Sequence, residues 1–206
     1  MNNKFLRSPP IFIISAPSGA GKTSLVKKLC DEWDFIKPSI SFTTRKKRLS
    51  EKDGIDYFFI SEELFKKKIK NNEFLESQNV YDNYYGTSIQ LIKKSQEAGY
   101  DVLLEIDYKG MLDIKSKLPN AISIYILPPN IDTLKRRLEK RGQDAIDVIE
   151  ERIKFSKKEL SYSKYADFVI INDIFEIALN TLKTIVLNEK LRALGIKDFL
   201  KRIAKK

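Results

Sequence analysis

Residues 11–29, IFIISAPSGAGKTSLVKKL, constrain the fold of this chain more than any other segment. The apolar run that opens the segment is typical of a strand buried on both faces, and an amphipathic helical pattern follows from Ser24. Between them, Gly19 and Gly21 lack a Cβ, so their N–H groups approach an anion closely at the start of the helix. We therefore predict a strand, a phosphate-binding loop and a helix, in that order.

The same loop carries side chains suited to a nucleoside triphosphate. Lys22 has the reach to contact the β and γ phosphates, and the Thr23 hydroxyl suits a Mg²⁺ ligand position. The usual pattern G-x-x-x-x-G-K-[ST] begins with glycine, whereas this chain has Ala16, which requires a negative φ there. The alternative is a glycine-bearing turn with a chance Lys-Thr pair, and the flanking strand and helix favour the nucleotide loop. The nucleotide-binding candidates are Ala16, Pro17, Ser18, Gly19, Ala20, Gly21, Lys22 and Thr23.

Length and composition predict one globular unit. A chain of 206 residues with 42% hydrophobic and 32% charged residues is long enough for one α/β core with insertions. No apolar run approaches the ~18 residues needed to span a bilayer, and the first run is too short for a signal peptide. We expect a cytoplasmic protein without membrane contact.

The chain contains no histidine and one cysteine. These counts exclude histidine-dependent triads, histidine general bases, most zinc sites and an intramolecular disulfide. The groups that remain for catalysis are lysine, arginine, carboxylates, hydroxyls and a metal ion held by oxygen ligands. Phosphoryl transfer fits it, because that reaction needs positioning and charge neutralisation more than a base.

The formal net charge of +10 raises the alternative of a nucleic-acid-stimulated ATPase. The C-terminal residues 201–206, KRIAKK, form a local basic cluster. The other lysines are scattered through helical patterns, which is typical of solvated faces. We therefore expect no nucleic acid partner.

Three further apolar runs follow the loop, at residues 102–107, 121–127 and 167–172, and helical patterns separate them. Strands alternating with helices predict the α/β class, with a mostly parallel sheet and helices on both faces. A long amphipathic helix is predicted from residue 174 to about residue 194, and we expect its apolar face to close the core. That face comprises Ile177, Ala178, Thr181, Leu182, Ile185 and Val186.

Two regions interrupt this alternation. Residues 38–98 carry strand candidates near 39–43, 57–60 and 73–81 and a helix over 61–70, which predicts an inserted subdomain. The pattern of residues 128–162 predicts two helices joined at Gly142, which we expect to form a lid. The core is then left with residues 10–37, 99–127 and 163–206.

The first inserted region holds a second binding constellation. Arg45 and Arg48, three residues apart, can place two guanidinium groups on one phosphate. Tyr57 and Tyr85 can each donate a phenolic hydrogen bond to the same group. From spacing alone, an exposed basic turn beside core tyrosines is an equal alternative to this phosphomonoester clamp.

Nine ordered motifs over about residues 10–192 closely resemble bacterial guanylate kinase. They are SAPSGAGKTS, SFTTRKKR, DGIDYFF, NNEFLE, NYYGTS, LLEIDYKG, ILPP, RLEKRGQD and VIIND. The resemblance implies a P-loop NTPase core with a mostly parallel five-stranded sheet, an inserted mixed α+β GMP-binding subdomain and a helical lid. It implies transfer of the γ-phosphoryl group of ATP to GMP, with Mg²⁺ and, as a second acceptor, dGMP.

The resemblance also implies residue roles. Arg45, Arg48, Tyr57 and Tyr85 match residues that hold the phosphate of GMP, and Ser41, Glu76, Thr87 and Asp107 match residues that read guanine. Lys22, Arg45, Arg137, Arg141 and Arg152 match catalytic positions, and Asn172 matches a contact to the adenine of ATP. Thr23 matches a metal position. The family usually has aspartate where this chain has Glu105, which leaves the role of Glu105 open.

We expect a nucleoside monophosphate kinase acting on GMP. The rivals are a kinase for dGMP, AMP or a pyrimidine nucleotide, and a guanylate-kinase-like binding module without catalysis. Glu76 with Asp107 argues against adenine. The intact Lys22 and Thr23 and the predicted arginines argue against the binding module. The oligomeric state stays open.

Overall fold

The computed structural model describes residues 8–80, 82–141 and 146–194. The strands, in chain order, are β1 Ile11–Ser15, β2 Ile36–Pro38, β3 Phe42–Thr43, β4 Phe58–Phe59, β5 Phe74–Val80, β6 Asn83–Ser88, β7 Asp101–Glu105, β8 Ile122–Leu127 and β9 Phe168–Ile171. The helices are α1 Lys22–Glu32, α2 Glu62–Lys70, α3 Ile89–Glu97, α4 Tyr108–Lys117, α5 Ile131–Arg141, α6 Ile146–Leu160 and α7 Phe175–Leu194. A short 3₁₀ helix spans Ser161–Tyr165.

Five strands form a wholly parallel sheet in the order β2-β7-β1-β8-β9. The strand β1 lies at its centre, and Phe12, Ile13 and Ile14 have no exposed surface. Helices α1, α5 and α7 cover one face, and α3 and α4 cover the other. This arrangement confirms the predicted α/β class and the five-stranded parallel core of a P-loop NTPase fold.

A second sheet lies between α1 and α3 in the chain, with the order β4-β3-β6-β5. Aromatic packing holds it together: the Phe65 ring of α2 lies 4.6 Å from the Phe74 ring. Gly86 lies under these rings, and a Cβ there would come within 2.9 Å of Phe65 Cζ. The backbone of β6 therefore approaches the aromatic cluster more closely than a side chain allows.

The structure corrects the predicted core face of the last helix. The sequence pattern places Ile177 and Thr181 on that face, but both are exposed, Ile177 by 60%. The buried face consists of Ala178, Leu179, Leu182 and Val186. Its centre is displaced toward Leu179, because the helix rotates by about 100° per residue and a small change in rotation exposes one flank of an apolar stripe.

Two strands have no counterpart among the predicted runs. The strand β2 has three residues and lies at an edge of the core sheet, where its terminal Pro38 needs no ladder donor. The strand β6 contains asparagine, glycine and two tyrosines, a composition from which we did not predict a strand. The segment is a strand because it pairs with β5. The predicted helix junction at Gly142 and the basic cluster 201–206 lie outside the described residues. Within the described ranges, no helix combines the length and the apolar character needed to cross a membrane.

Truncating a buried isoleucine should lower the free energy of unfolding more than truncating an exposed one. Ile14→Ala removes a fully buried side chain and should lower the free energy of unfolding by about 2–5 kcal/mol. Ile177→Ala removes an exposed one and should change it by less than about 0.5 kcal/mol. Urea denaturation of both variants measures the difference, and equal losses would contradict the arrangement of the core.

Candidate active site

One cavity of about 720 Å³ lies where the carboxyl ends of β1 and β7 face the second sheet. The predicted residues that line it are Ala16, Pro17, Ser18, Gly19, Gly21, Lys22, Thr23, Ser41, Arg45, Arg48, Tyr57, Glu76, Tyr85, Glu105, Asp107, Arg137, Arg152 and Asn172. Ala20 and Thr87 do not line it and are fully buried. Arg141 ends α5, and its side chain lies outside the described part of the chain.

The loop between β1 and α1 has the geometry of an anion cradle. Gly19 and Gly21 have φ values of 87° and 94°, in the left-handed region that favours glycine. Gly21 is also the N-cap of α1, and a Cβ there would lie 2.3 Å from Asn172 Nδ2. The non-glycine residues of positive φ in the described ranges are Asn72 and Asp82. Ala16 is therefore accommodated without strain.

Two side chains at the start of α1 contact the neighbouring strand end. Lys22 Nζ donates to the carbonyl of Ile106 at 3.0 Å. The Thr23 hydroxyl donates to the Glu105 carboxylate. Because Glu105 ends β7 and pairs in register with Ile14 of β1, the parallel sheet brings this carboxylate beside the loop. The extra methylene of glutamate still reaches the threonine.

The second sheet brings the predicted phosphate clamp together. The guanidinium of Arg45 lies 5.5 Å from the centre of the Tyr57 ring, and the rings of Tyr57 and Tyr85 are 5.9 Å apart. Burial raises the pKa of Tyr57 to about 12. Its phenol therefore stays protonated near neutral pH and remains a hydrogen-bond donor.

A buried acid from the second sheet lines the same cavity as the loop glycines. Glu76 of β5 is 4% exposed, and the Thr87 hydroxyl donates to its Oε1 at 2.7 Å. Burial first, and then the charge of Asp107, raise the pKa of Glu76 to about 7, although the Thr87 hydrogen bond lowers it. Asp107 caps α4 and accepts from the Gly110 N–H at 2.8 Å. Ser41, 9% exposed, lines the same cavity.

Two of the predicted arginines, Arg137 of α5 and Arg152 of α6, contact residues of the glycine loop. Arg137 donates to the carbonyls of Asn172 and Ala20, at 2.9 and 3.4 Å. Arg152 Nη1 lies 3.5 Å from Ser18 Oγ. Asn172 Nδ2 donates to the same Ala20 carbonyl at 2.7 Å, and its buried Oδ1 has no hydrogen-bond partner among the described residues. The end of β9 is thereby tied to the loop.

Sequence reasoning missed Ser24, which lines the cavity next to Thr23, and three further polar residues at this site. Gln78 lines the cavity two residues after Glu76, and strand alternation places both on one face. Glu159 also lines the cavity, in the same pocket as Ser18. Glu159 follows Arg152 by seven residues, which is a helical repeat that signals a shared face. Glu51 pairs with Arg45 and Arg48, and a carboxylate close to two arginines in sequence was a signal for it.

Neutralising Glu76 should stabilise the fold at alkaline pH. The pKa near 7 lies above the ordinary value of 4.5, so the folded state binds the proton more tightly. The favourable contribution of the protonated form is fully present below pH 4.5 and is lost as pH rises to 7. At pH 8, Glu76→Gln should therefore raise the free energy of unfolding by roughly 2–3 kcal/mol, with a smaller gain at pH 5.

Urea denaturation at the two pH values measures this difference. Glu97→Gln, at an exposed position on α3, is the matched control and should show the same stability as the parent at both. A Glu76→Gln gain that does not grow between pH 5 and pH 8 would contradict the buried, raised acid.

Comparison with known proteins places this arrangement in one family. The guanylate kinase family model matches residues 8–189. Guanylate kinases from Hydrogenovibrio crunogenus and Coxiella burnetii are each 46% identical, over 86% and 88% of both chains respectively. The crystal structure of guanylate kinase from Anaplasma phagocytophilum superposes with a TM-score of 0.76 at 27% identity and covers 95% of each chain. The fold, the glycine loop and these similarities together show that the chain belongs to the guanylate kinase family.

Proposed function

We propose that this protein transfers the γ-phosphoryl group of ATP to GMP, giving ADP and GDP, and that dGMP is a second acceptor. One observation carries the proposal: a single cavity contains a phosphate-loop lysine, a pair of arginines and a buried carboxylate. Family membership supports the reaction class. The cytoplasmic location and the lack of a nucleic acid partner stay predictions.

Glu76, the buried acid that lines the cavity, is suited to recognise guanine. Guanine presents N1–H and N2–H₂ donors beside an O6 acceptor, so the Glu76 carboxylate accepts from the donors and a hydroxyl group serves O6. The Thr87 hydroxyl already donates to Glu76 and fixes the carboxylate, and the Ser41 hydroxyl, which lines the cavity, is assigned to O6. Adenine would leave a buried acceptor unpaired, at a cost of about 1–3 kcal/mol. We assign Asp107 to the same recognition.

The acceptor phosphate belongs between this acid and the glycine loop. We assign it to Arg45 and Arg48, whose guanidinium groups form charge-assisted hydrogen bonds, and to the phenols of Tyr57 and Tyr85. All four side chains line the cavity. We propose residues 38–98 as the unit that binds GMP.

The glycine loop is assigned to the triphosphate, from Ala16 to Thr23. Lys22 extends toward the β and γ phosphates, and the start of α1 adds partial positive charge. Arg137, Arg141 and Arg152 belong to a proposed lid of residues 128–162 and stabilise negative charge on the transferring group. Asn172 is assigned to adenine, where its buried Oδ1 is an acceptor suited to an amino group.

The residues beside the loop also fit Mg²⁺. The Thr23 hydroxyl and the Glu105 carboxylate are adjacent oxygen donors, the type that this hard cation prefers. When bound with ATP, the ion neutralises phosphate charge. The Thr23–Glu105 contact holds both donors at the loop.

No protein base is required for this transfer. The acceptor phosphate is already anionic, so the chain has to align it with the donor and exclude water. Arg45 and Arg48 come from the subdomain of residues 38–98, Lys22 from the start of α1 and Arg137 from the proposed lid, and all four line the cavity. These cations are therefore available to both the acceptor and the donor phosphates.

Steady-state ADP formation with Mg·ATP and a panel of acceptors tests the proposal. The panel is GMP, dGMP, AMP, CMP, UMP and dTMP. GMP should stimulate turnover far more than AMP. Lys22→Met should reduce turnover by about 10²–10³-fold or more, because it removes a charge that stabilises the transferring group.

Lys27→Met is the matched control, since Lys27 is exposed on the same helix, and it should retain activity. Turnover by Lys22→Met at the parent rate would contradict the assignment of the loop. Stimulation by AMP rather than GMP would indicate another nucleoside monophosphate kinase. A folded protein stimulated by no acceptor would indicate a binding module.

A further inference from the structure

We propose that Glu51 is a positioning residue for the acceptor phosphate, which it serves by orienting Arg45 and Arg48. The inference rests on the proposed function, because the phosphate is that of GMP. Glu51 itself has no assigned contact with either nucleotide. It acts through the two arginines.

Both carboxylate oxygens of Glu51 are used as acceptors. Oε1 accepts from Arg45 Nη2 at 2.7 Å and lies 3.8 Å from Arg48 Nη1. Oε2 accepts from the backbone N–H of Arg48 at 2.8 Å. One carboxylate thus fixes the side chain of one arginine and the backbone of the other.

Other hydrogen bonds hold the two ends of the segment that carries the arginines, from the Thr44 N–H to the Tyr84 carbonyl and from the Lys52 N–H to Asp56 Oδ2, and Glu51 holds its middle. The segment connects β3 to β4 without a helix or strand over residues 44–52, and Leu49 at its tip is fully exposed. The Glu51 N–H also donates to the Arg48 carbonyl at 3.1 Å, so backbone and side chain close the same turn. Long arginine side chains lose much rotamer freedom when ordered, and Glu51 orders them before the phosphate arrives.

The hydrogen bonds to Glu51 and to the Lys46 carbonyl do not use all the donors of Arg45. A guanidinium has five N–H donors, and Glu51 and the Lys46 carbonyl each accept from one Nη group of Arg45. The rings of Tyr57 and Phe59 lie 5.5 and 5.9 Å from the guanidinium. The remaining donors therefore have a set direction within the cavity that Arg45 lines.

Glutamine cannot replace this carboxylate. Its amide has one acceptor oxygen, so its NH₂ group would face either Arg45 Nη2 or the Arg48 N–H, both of which are donors. Aspartate keeps two acceptors at a shorter reach. Glu51→Gln should therefore disturb the arginines more than Glu51→Asp, although glutamine is closer in size.

Steady-state kinetics of the full chain with Mg·ATP and GMP tests the inference. Glu51→Gln should raise the KM for GMP by about tenfold to hundredfold, the range of a lost charge-assisted hydrogen bond. The KM for ATP and the inhibition constant of guanosine, which lacks the phosphate, should stay within about twofold. Glu51→Asp should lie between parent and glutamine variant.

Glu62→Gln is the matched control, since Glu62 forms an exposed ion pair with Lys66 on α2 and does not line the cavity. It should behave as the parent in every assay. Thermal unfolding of each variant shows that it is folded, and if Glu51→Gln is not, the KM for GMP of Glu51→Asp decides.

Three results would overturn the inference. An unchanged or lower KM for GMP in Glu51→Gln would show that the carboxylate is dispensable or mainly repels the phosphate. Equal losses toward GMP, guanosine and ATP would show a general structural role. In both cases the parent still phosphorylates GMP, so the proposed function stands. A parent that neither binds nor phosphorylates GMP would remove both proposals.

Discussion

The central position of β1 in a parallel sheet is the constraint on which the site depends. Because Phe12, Ile13 and Ile14 are buried on both faces, the chain leaves the sheet at one fixed point, Ser15. The carboxyl ends of β7 and β9 meet the same edge of the sheet. Ligands of open α/β sheets bind at this edge, between strand ends held by the core.

At this edge of the sheet, hydrogen bonds join chain segments that are distant in sequence. Asn172, after β9, bonds to Ala20, and Glu105, at the end of β7, bonds to Thr23. Each contact joins a strand end to the glycine loop. The loop is therefore held by neighbouring strands as well as by its own glycines.

The second sheet contributes a buried polar pair, Glu76 with Thr87, beside the cavity that Glu76 lines. Its strand β5 pairs with β6 so that Glu76 lies opposite Thr87. The register fixes the hydrogen bond between them, and a shift of one residue would turn Glu76 out of the cavity. Aromatic packing around Gly86 holds that register from the other face.

The sequence predicted the core well because its signals are local. A buried apolar strand, a glycine turn and an amphipathic helix each depend on neighbouring residues, and the predicted strand and helix at 11–29 are present. The prediction was less accurate where tertiary contacts decide. Ile177 fits a helical apolar stripe but is exposed, and β6 becomes a strand by pairing with β5 rather than by its composition.

The residues of the site were likewise predictable where their signal is a local motif. The resemblance named most of the residues that line the cavity, since they lie in short motifs. Glu51 and Glu159 were missed because carboxylates are common on solvated surfaces, so a glutamate near arginines in sequence, or seven residues from one, is a weak signal. The folded chain shows that Glu51 contacts two arginines and that Glu159 lines the cavity.

If Glu76 reads guanine as proposed, this buried acid also couples ligand binding to proton release. With no histidine in the sequence, the usual neutral-pH titrating side chain is absent, and Glu76, with a pKa of about 7, titrates in its place. A ligand edge that offers only donors requires the ionised carboxylate. Its binding near neutral pH therefore releases a fraction of a proton to the solvent, and the observed binding enthalpy depends on the ionisation enthalpy of the buffer.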